Sequence, residues 1–561
     1  MTQAPGPQTP AGLATMRVKY AQPGEDWRAI CNRTASAVAD DDEHYMAFRD
    51  IQLDMRFIMG GRNLAMLGTS KLTTANNCYV SGPVEDSILS IFERVKEAAQ
   101  TQQMGGGIGY DFSLIRPRGD LVRSMGTRAS GPISFMQVFD AMGRTISSYG
   151  NRSGAQMGIL RVDHPDIEEF ILAKQNGDRL NCFNISIAIT DEFMEAVKEG
   201  RSFDLQFNGR VYRSIDARTL WETIMRATWD WAEPGVVFID RINEMNNLRY
   251  CETIYATNPC SEQPLPPYGA CLLGAFNLPR YLRPLARPSA LEGRYWFDWV
   301  QFKEDIPITV RAMDNVVDIA RYPLPEQEAQ AKAKRRMGLG VMGLANCLEA
   351  QGLPYGSPKF IHEARCIMQT LANEAYFASA CLADEKGAFP AYDKRYLGSK
   401  FLLKAISPAV RGRIAQSGMR NSHLTTVAPT GTTAFMADNV SSGIEPVFSR
   451  EEVRRVRMPD GEEEMHVKDY GVAMGVEPRV AGEVSPSEHV AVLCAVQGYV
   501  DSAVSKTCNV PSATPWDDFK KVYQVAWEGG AKGCATYTVG GKREGVRSEI
   551  TECQGASCQV G

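Results

Sequence analysis

The stretch Asn258-Pro259-Cys260-Ser261-Glu262 constrains this chain more than any other, because it sets three chemically different groups two residues apart around a fixed backbone. Pro259 restricts φ beside a thiol. In an extended segment, residues i and i+2 share a side. Asn258, Cys260 and Glu262 are therefore expected to project together as an amide, a sulfur and a proton acceptor. A further thiol, Cys271, follows eleven residues after Cys260. Alone, the stretch has two readings: a turn that packs a free cysteine as a small hydrophobe, or a reactive site. The rest of the chain decides between them.

With 561 residues, the chain is long enough for two or three domains or one large domain with appendages. A net charge of −5 with no long basic run argues against a nucleic-acid polymer as partner, while leaving room for a nucleotide. No apolar run approaches the roughly 18 residues of a membrane span. The segment Met1–Gly12 lacks the apolar core of a signal peptide, so a cytoplasmic protein is expected. The 14 cysteines follow no compact secreted pattern, and most are expected to be free thiols.

Taken in order, residues 1–23 read as disordered and 24–62 as a short helical region. Asn76-Asn77-Cys78-Tyr79-Val80 reads as a β-like segment carrying a thiol. Asp86 is the expected N-cap of a helix with Ile88, Phe92, Val95 and Ala99 on one face. That helix stops at Gly105-Gly106-Gly107-Ile108-Gly109, more glycine than a C-cap requires, which suits close approach of a ligand to the backbone. Two polar loops follow, Arg116–Arg128 and Ser147–Gln156, the second with Arg152 at its centre, and Ile133–Ile146 between them reads as a helix.

From 160 to 240, short apolar runs alternate with amphipathic stretches, the mark of an α/β architecture. The long Pro- and Gly-rich connection Thr257–Gly274 then interrupts the pattern. Gly338-Leu339-Gly340-Val341-Met342-Gly343 matches GxGxxG, but the residues before it read as helical rather than as the buried strand a dinucleotide turn requires. Those glycines are expected to let helices pack closely. Leu424–Ala428 reads as a strand leading into Pro429-Thr430-Gly431-Thr432-Thr433-Ala434, where hydroxyls, a glycine and helix-start N–H groups make a phosphate cup, or else a hydroxyl-rich N-cap. Residues 450–490 are charged and expected at the surface, and Gly533–Val539 reads as a strand. From Gly540 the chain reads as a tail carrying Cys553 and Cys558, too few ligands for structural zinc and better suited to a reversible dithiol; no metal site is expected.

Together these motifs resemble the large catalytic subunit of ribonucleotide reductases, in particular the adenosylcobalamin-dependent class II enzymes. The resemblance runs from about Arg62 to the C-terminus. It rests on the joint order of NNCYV (76–80), GGGIG (105–109), RVDHPDIEEFI (161–171), NPCSE (258–262) with Cys271, RRMGLGVMGLAN (335–346), APTGTTA (428–434) and the terminal CxxxxC. The implied fold is a ten-stranded α/β barrel over 63–540, two five-stranded parallel halves set antiparallel, with a central finger loop, a short helical N-terminal region and a flexible redox-active tail at 541–561. With only about 60 residues before the core, no N-terminal ATP cone is expected.

The resemblance also implies roles. Cys260 is the thiyl-radical residue, Glu262 takes the 3′-hydroxyl proton, and Asn258 holds the sugar hydroxyls. Cys78 and Cys271 form the reducing pair, which Cys553 and Cys558 re-reduce by thiol–disulfide exchange. Gly106, Gly107 and Pro429–Ala434 (Pro429, Thr430, Gly431, Thr432, Thr433, Ala434) hold ribose and phosphates. Asp86, Arg116 and Arg152 serve a dNTP or ATP effector site. A homodimer and a thioredoxin- or glutaredoxin-type reductant complete the picture. The radical source is read from Cys534-Ala535-Thr536-Tyr537-Thr538, which lacks the tyrosine pair of relatives that use a separate radical subunit and so favours adenosylcobalamin. Two alternatives stand beside this reading: a class I-type subunit needing a metal-bearing partner, and a catalytically silent nucleotide-binding regulator.

Overall fold

The computed structural model describes residues 5–148, 152–175, 179–289, 293–458 and 461–538. The strands that position the site are β1 (Phe57–Met59), β2 (Cys78–Val80), β3 (Gly107–Asp111), β4 (Gln156–Arg161), β5 (Phe183–Ile189) and β6 (Gly235–Phe238). After them come a short hairpin of β7 (Ala256–Thr257) and β8 (Pro264–Leu265), then β9 (Ala270–Asn277) and β10 (Met337–Met342). A second hairpin, β11 (Glu451–Met458) and β12 (Gly461–Lys468), precedes β13 (Thr507–Val510) and β14 (Gly533–Thr538). Three helices matter below: α1 (Pro10–Lys19), α2 (Ile88–Gln103) and α3 (Gly431–Met436).

One large sheet runs in the order β1-β9-β2-β3-β4-β5-β6-β14-β13, with β10 also paired to β9. β2 to β6 are parallel to one another. The flanks run the other way: β9 is antiparallel to β2, and β14 to β6. Each flank has a parallel neighbour, β10 beside β9 and β13 beside β14. This is the mixed α/β architecture the sequence predicts, but the pairings among the described residues do not close into a ten-stranded ring. One of the ten strands is β1, an antiparallel edge strand on β9. The expected strand Leu424–Ala428 makes only single parallel bridges, Leu339 with Thr425 and Val427 with Val504. The cause is local. The Asp501 carboxylate accepts the N–H groups of Leu424 (2.7 Å) and Thr425 (3.0 Å), donors that a neighbouring strand would otherwise use.

Side chains alternate across the sheet. One face carries a cluster that includes Cys78, Met157, Ile159, Ala188, Val237 and Cys271, while their neighbours Tyr79, Leu160, Ile187, Val236 and Leu272 join the main core on the other face.

Other expectations are corrected. Residues 10–19, read as disordered, form α1, with Ala11, Ala14 and Met16 buried. Residues 24–62 contain the expected helices but also β1. Ser87, not Asp86, caps α2, accepting from the Ser90 N–H at 3.1 Å. The Ile88/Phe92 face of that helix is exposed, and the opposite face, with Ile91, Ala98 and Thr101, is buried. The glycines of 338–343 do not pack helices: Gly338 and Gly340 lie inside β10. A Cβ at Gly340 would sit 2.5 Å from the Thr426 carbonyl oxygen, so these glycines admit a neighbouring backbone.

Candidate active site

The connection read as a long loop is a narrow hairpin. β7 and β8 pair Ala256 with Leu265 and Thr257 with Pro264, leaving 258–263 as its tip. The tip is not extended, as the i, i+2 argument assumed. Ser261 has φ 65°, and the Asn258 carbonyl accepts the Ser261 N–H at 3.1 Å. The turn still gathers the predicted groups. The Asn258 amide Nδ2 donates to Glu262 Oε1 at 2.8 Å and to Cys78 Sγ at 3.1 Å, and the Cys78 thiol donates to Glu262 Oε1 at 3.5 Å. Asn258 Oδ1 accepts the Gln263 N–H at 3.0 Å, which fixes the amide's orientation.

Cys260 occupies the tip and is buried, with 7% of its surface exposed. Its neighbour Pro259 offers its carbonyl to Asn184 Nδ2 at 2.8 Å. The Glu262 carbonyl accepts from Thr426 Oγ1 and from the Ala503 N–H, each at 2.9 Å. Three separate chain segments therefore grip the hairpin tip.

The floor beneath the tip is glycine. A Cβ on Gly109 would lie 1.7 Å from the Thr257 carbonyl oxygen, and one on Gly107 would lie 3.1 Å from Pro259 Cγ. Gly106 meets the Tyr79 ring at 2.6 Å by the same measure. The glycine run stopping α2 thus makes room first for the hairpin itself.

Cys78 and Cys271 are register partners across β2 and β9. Both are buried free thiols, and Cys271 Sγ donates to the Leu272 carbonyl at 3.3 Å. Burial pushes both thiols well above their ordinary range, and the negative charge of Glu262 adds to the effect at Cys78. Glu262 is itself wholly buried and its carboxyl is pushed up to about 7 by desolvation, against the lowering effect of the Asn258 hydrogen bond. Its second oxygen, Oε2, has no hydrogen-bond partner among the described residues. A carboxylate poised near neutrality with one free oxygen is chemically a proton acceptor. The arrangement joins a buried sulfur at the hairpin tip, a carboxyl near neutrality, an amide that orients it and two opposed thiols.

Other predicted residues fall as follows. Thr430 N–H donates to Ser442 Oγ, and Thr430 Oγ1 accepts the Gly443 N–H, each at 3.1 Å, while no side chain caps the start of α3. Pro429, Gly431 and Thr432 are partly exposed; Thr433 and Ala434 are buried. Ala428, which enters this segment, packs against the cluster holding Cys78 and Cys271. Asp86 and Arg116 form an ion pair with each other, at 2.6 Å. Arg152 belongs to a two-residue strand, and its side chain lies outside the described residues, as do Cys553 and Cys558. In the 335–346 motif, Arg335 pairs with Asp314 and Asp318, and Arg336 with Glu252, so both arginines are structural.

Sequence reasoning missed Asn184, Thr426 and Gln263. Gln263 is buried beside Gly338, and neither of its amide atoms has a hydrogen-bond partner among the described residues. The one usable signal was the pair of polar residues, Asn184 and Thr426, inside runs otherwise read as plain strand.

Residues 76–537 match the model of the ribonucleotide reductase barrel domain. The chain belongs to the ribonucleotide reductase family. A Mycobacterium tuberculosis (strain CDC 1551 / Oshkosh) protein named vitamin B12-dependent ribonucleoside-diphosphate reductase is 35% identical, over 98% of this chain and 84% of its own length. One of the same name from Thermoplasma acidophilum is 34% identical, over 88% of this chain and 65% of its own. A vitamin B12-dependent ribonucleotide reductase of Streptomyces avermitilis is 28% identical, over 92% of this chain and 61% of its own. The matched region begins at Asn76, at the start of NNCYV, and ends at Tyr537, so it contains every residue of the hairpin site.

Proposed function

We propose that this chain reduces ribonucleotides to 2′-deoxyribonucleotides with adenosylcobalamin as radical source. The observation that carries the reading is the joining of the Cys260 hairpin, the Asn258–Glu262–Cys78 hydrogen bonds and the Cys78/Cys271 register pair in one buried site. Names of the relatives favour a ribonucleoside diphosphate as substrate.

Cys260 removes the hydrogen from C3′ of the ribose and later returns it. Glu262 takes the 3′-hydroxyl proton through Oε2, and Asn258 holds the sugar hydroxyls while orienting Glu262. The 2′-hydroxyl leaves as water, with Cys78 and Cys271 giving up two electrons and two protons to become a disulfide. Overall, one ribonucleotide and two thiols become one deoxyribonucleotide, one water and one disulfide. Three thiols are required because one sulfur cannot serve as both initiator and two-electron donor. Cys553 and Cys558 then restore the pair, passing the oxidation to an external dithiol protein.

The donor set fits the cofactor. On β13 and β14, Cys508, Cys534 and Thr536 are buried, while Thr507, Asn509, Ala535 and Tyr537 are more accessible and lie on the opposite side. The Val237–Gly533 pairing puts that side of β14 on the same sheet face as Cys78 and Cys271. A small exposed Ala535 in mid-strand leaves room for a broad planar group. Thr507, Asn509, Ala535 and Tyr537 would hold adenosylcobalamin, which when bound supplies the one-electron, hydrogen-abstracting equivalent.

Pro429–Ala434 bind the phosphates through the uncapped start of α3, with Gly106 and Gly107 along the ribose. The exposed Ile88, Leu89 and Phe92 of α2 support a homodimer through that helix, with the effector near Asp86, Arg116 and Arg152. The sheet curls into the family's ten-stranded barrel, with the two bridges of 424–428 as its seam.

The test is turnover by the purified chain with adenosylcobalamin, a dithiol and ribonucleoside di- or triphosphates, and no second protein. Deoxynucleotide from the diphosphate is expected. Product only on adding a metal-bearing subunit would overturn the cofactor assignment.

A further inference from the structure

The N-terminal arm reaches the back of the phosphate-binding segment. α3 ends at Met436, and Asp438 and Asn439 both adopt left-handed backbone, with φ 63° and 61°. Two consecutive non-glycine residues in this conformation are costly and persist only where surrounding contacts hold them. Asn439 is held by the Lys468 carbonyl, which accepts its Nδ2 at 3.2 Å, and by the Tyr470 N–H, which donates to its carbonyl at 3.1 Å; Asp438 is held by the N-terminal arm. The buried Asp438 carboxylate accepts the Gln8 N–H on both oxygens (2.9 and 3.0 Å), the Thr9 N–H (2.8 Å) and the Thr9 hydroxyl (2.9 Å). Thr9 Oγ1 in turn caps α1 by accepting the Gly12 N–H at 3.0 Å.

Packing follows the same line. A Cβ on Gly12 would lie 2.8 Å from the Met436 carbonyl oxygen, so α1 lies directly on the end of α3. Ala11 and Ala14 of α1 form a small separate core with Val467, against which Phe435 of α3 and Met465 pack. The Arg454 guanidinium stacks 4.8 Å from the centre of the Phe435 ring. Past the turn, Asn346 holds the loop from the other side: its Oδ1 accepts the Ser441 N–H at 2.6 Å and its Nδ2 donates to Asp469 at 2.9 Å.

We infer that Asp438 is a positioning residue, through which the N-terminal arm sets the orientation of Thr430–Ala434 and so the affinity for the substrate's phosphates, without touching the substrate. The inference rests on the reading of that segment as the phosphate site. Misplacing a binding group by about an ångström costs substantial binding energy.

The experiment uses the full chain with adenosylcobalamin and a ribonucleoside diphosphate. Asp438→Ala and Gly12→Val attack the contact from opposite sides. Each is expected to raise KM about tenfold with kcat within about twofold, and to raise hydrogen exchange at the amides of residues 8–19. Thr432→Val, within the segment itself, separates the two ideas. If Thr432→Val raises KM while both arm variants release α1 and leave KM unchanged, the arm is merely structural and the inference fails alone. If Thr432→Val also leaves KM unchanged, the phosphate reading and the inference fail together.

Discussion

Cys78 and Cys271 face each other as register partners across two antiparallel strands, β2 and β9. Directly opposed antiparallel residues have Cα atoms about 4.5–5.5 Å apart, inside the range that a disulfide bridges without moving backbone. Turnover without external dithiol should therefore leave a peptide carrying a Cys78–Cys271 bond. Differential alkylation and peptide mapping would read it. Cys78→Ser and Cys271→Ser should each abolish multiple turnover while leaving the fold intact, since both swaps are nearly isosteric. A disulfide mapped to any other pair among the core cysteines would count against the assignment.

Burial sets the pH behaviour of Glu262. With its carboxyl pushed up to about 7, kcat/KM should rise with pH through that value as the base ionises. Glu262→Gln should remove that rise and lower kcat by roughly 10²–10⁴-fold. Stability gives a second readout. Relative to an ordinary carboxyl near 4.5, the folded chain holds this proton more tightly, so its contribution is full at low pH and is lost as pH rises to about 7. The melting temperature of Glu262→Gln relative to the native chain should climb between those two values and then level off.

Asn258 opposes the effect of burial on Glu262 by donating to Oε1. Asn258→Ala should shift the midpoint of the kcat/KM profile upward, above the native value. An unmoved or lowered midpoint would mean that the amide does not control the base.

Gly109 carries the hairpin on its bare Cα. Gly109→Ala forces a methyl into the Thr257 carbonyl, 1.7 Å from the ideal Cβ position. Overpacking of this kind costs about 1–3 kcal/mol. Thermal denaturation should show that loss, and turnover should fall much further, because the displaced element carries Cys260.

How far the sequence foretold this follows from which contacts are local. Asn258, Cys260 and Glu262 were legible because one turn holds all three, though the geometry that gathers them is a left-handed Ser261 rather than an extended strand. Of the five parallel strands, β5 and β6 follow from the alternating apolar and amphipathic stretches of 160–240 and β2 from the β-like segment at 76–80, whereas β3 was hidden because it begins inside the glycine run of 105–109. β10 was hidden because Gly338 and Gly340 erase its apolar pattern, and the reason for them is a distant backbone around Thr426. The same holds for 424–428, where the Asp501 carboxylate replaces a ladder partner. α1 read as disordered because its anchor, Asp438, lies more than 400 residues along the chain. The α2 stripe was seen, but its exposure was not, since periodicity does not say which face a partner covers.

Replacing the sulfur of Cys260 asks whether this residue starts the chemistry. Purified native chain and Cys260→Ser should be compared with adenosylcobalamin, a dithiol and a ribonucleoside diphosphate labelled with tritium at C3′, with no other protein present. The native chain should make deoxynucleotide that keeps tritium at C3′, while the unreacted nucleotide grows richer in label because the C3′–tritium bond breaks more slowly. The variant should bind the nucleotide equally well, yet make no product. Deoxynucleotide formed by Cys260→Ser would overturn the assignment of Cys260.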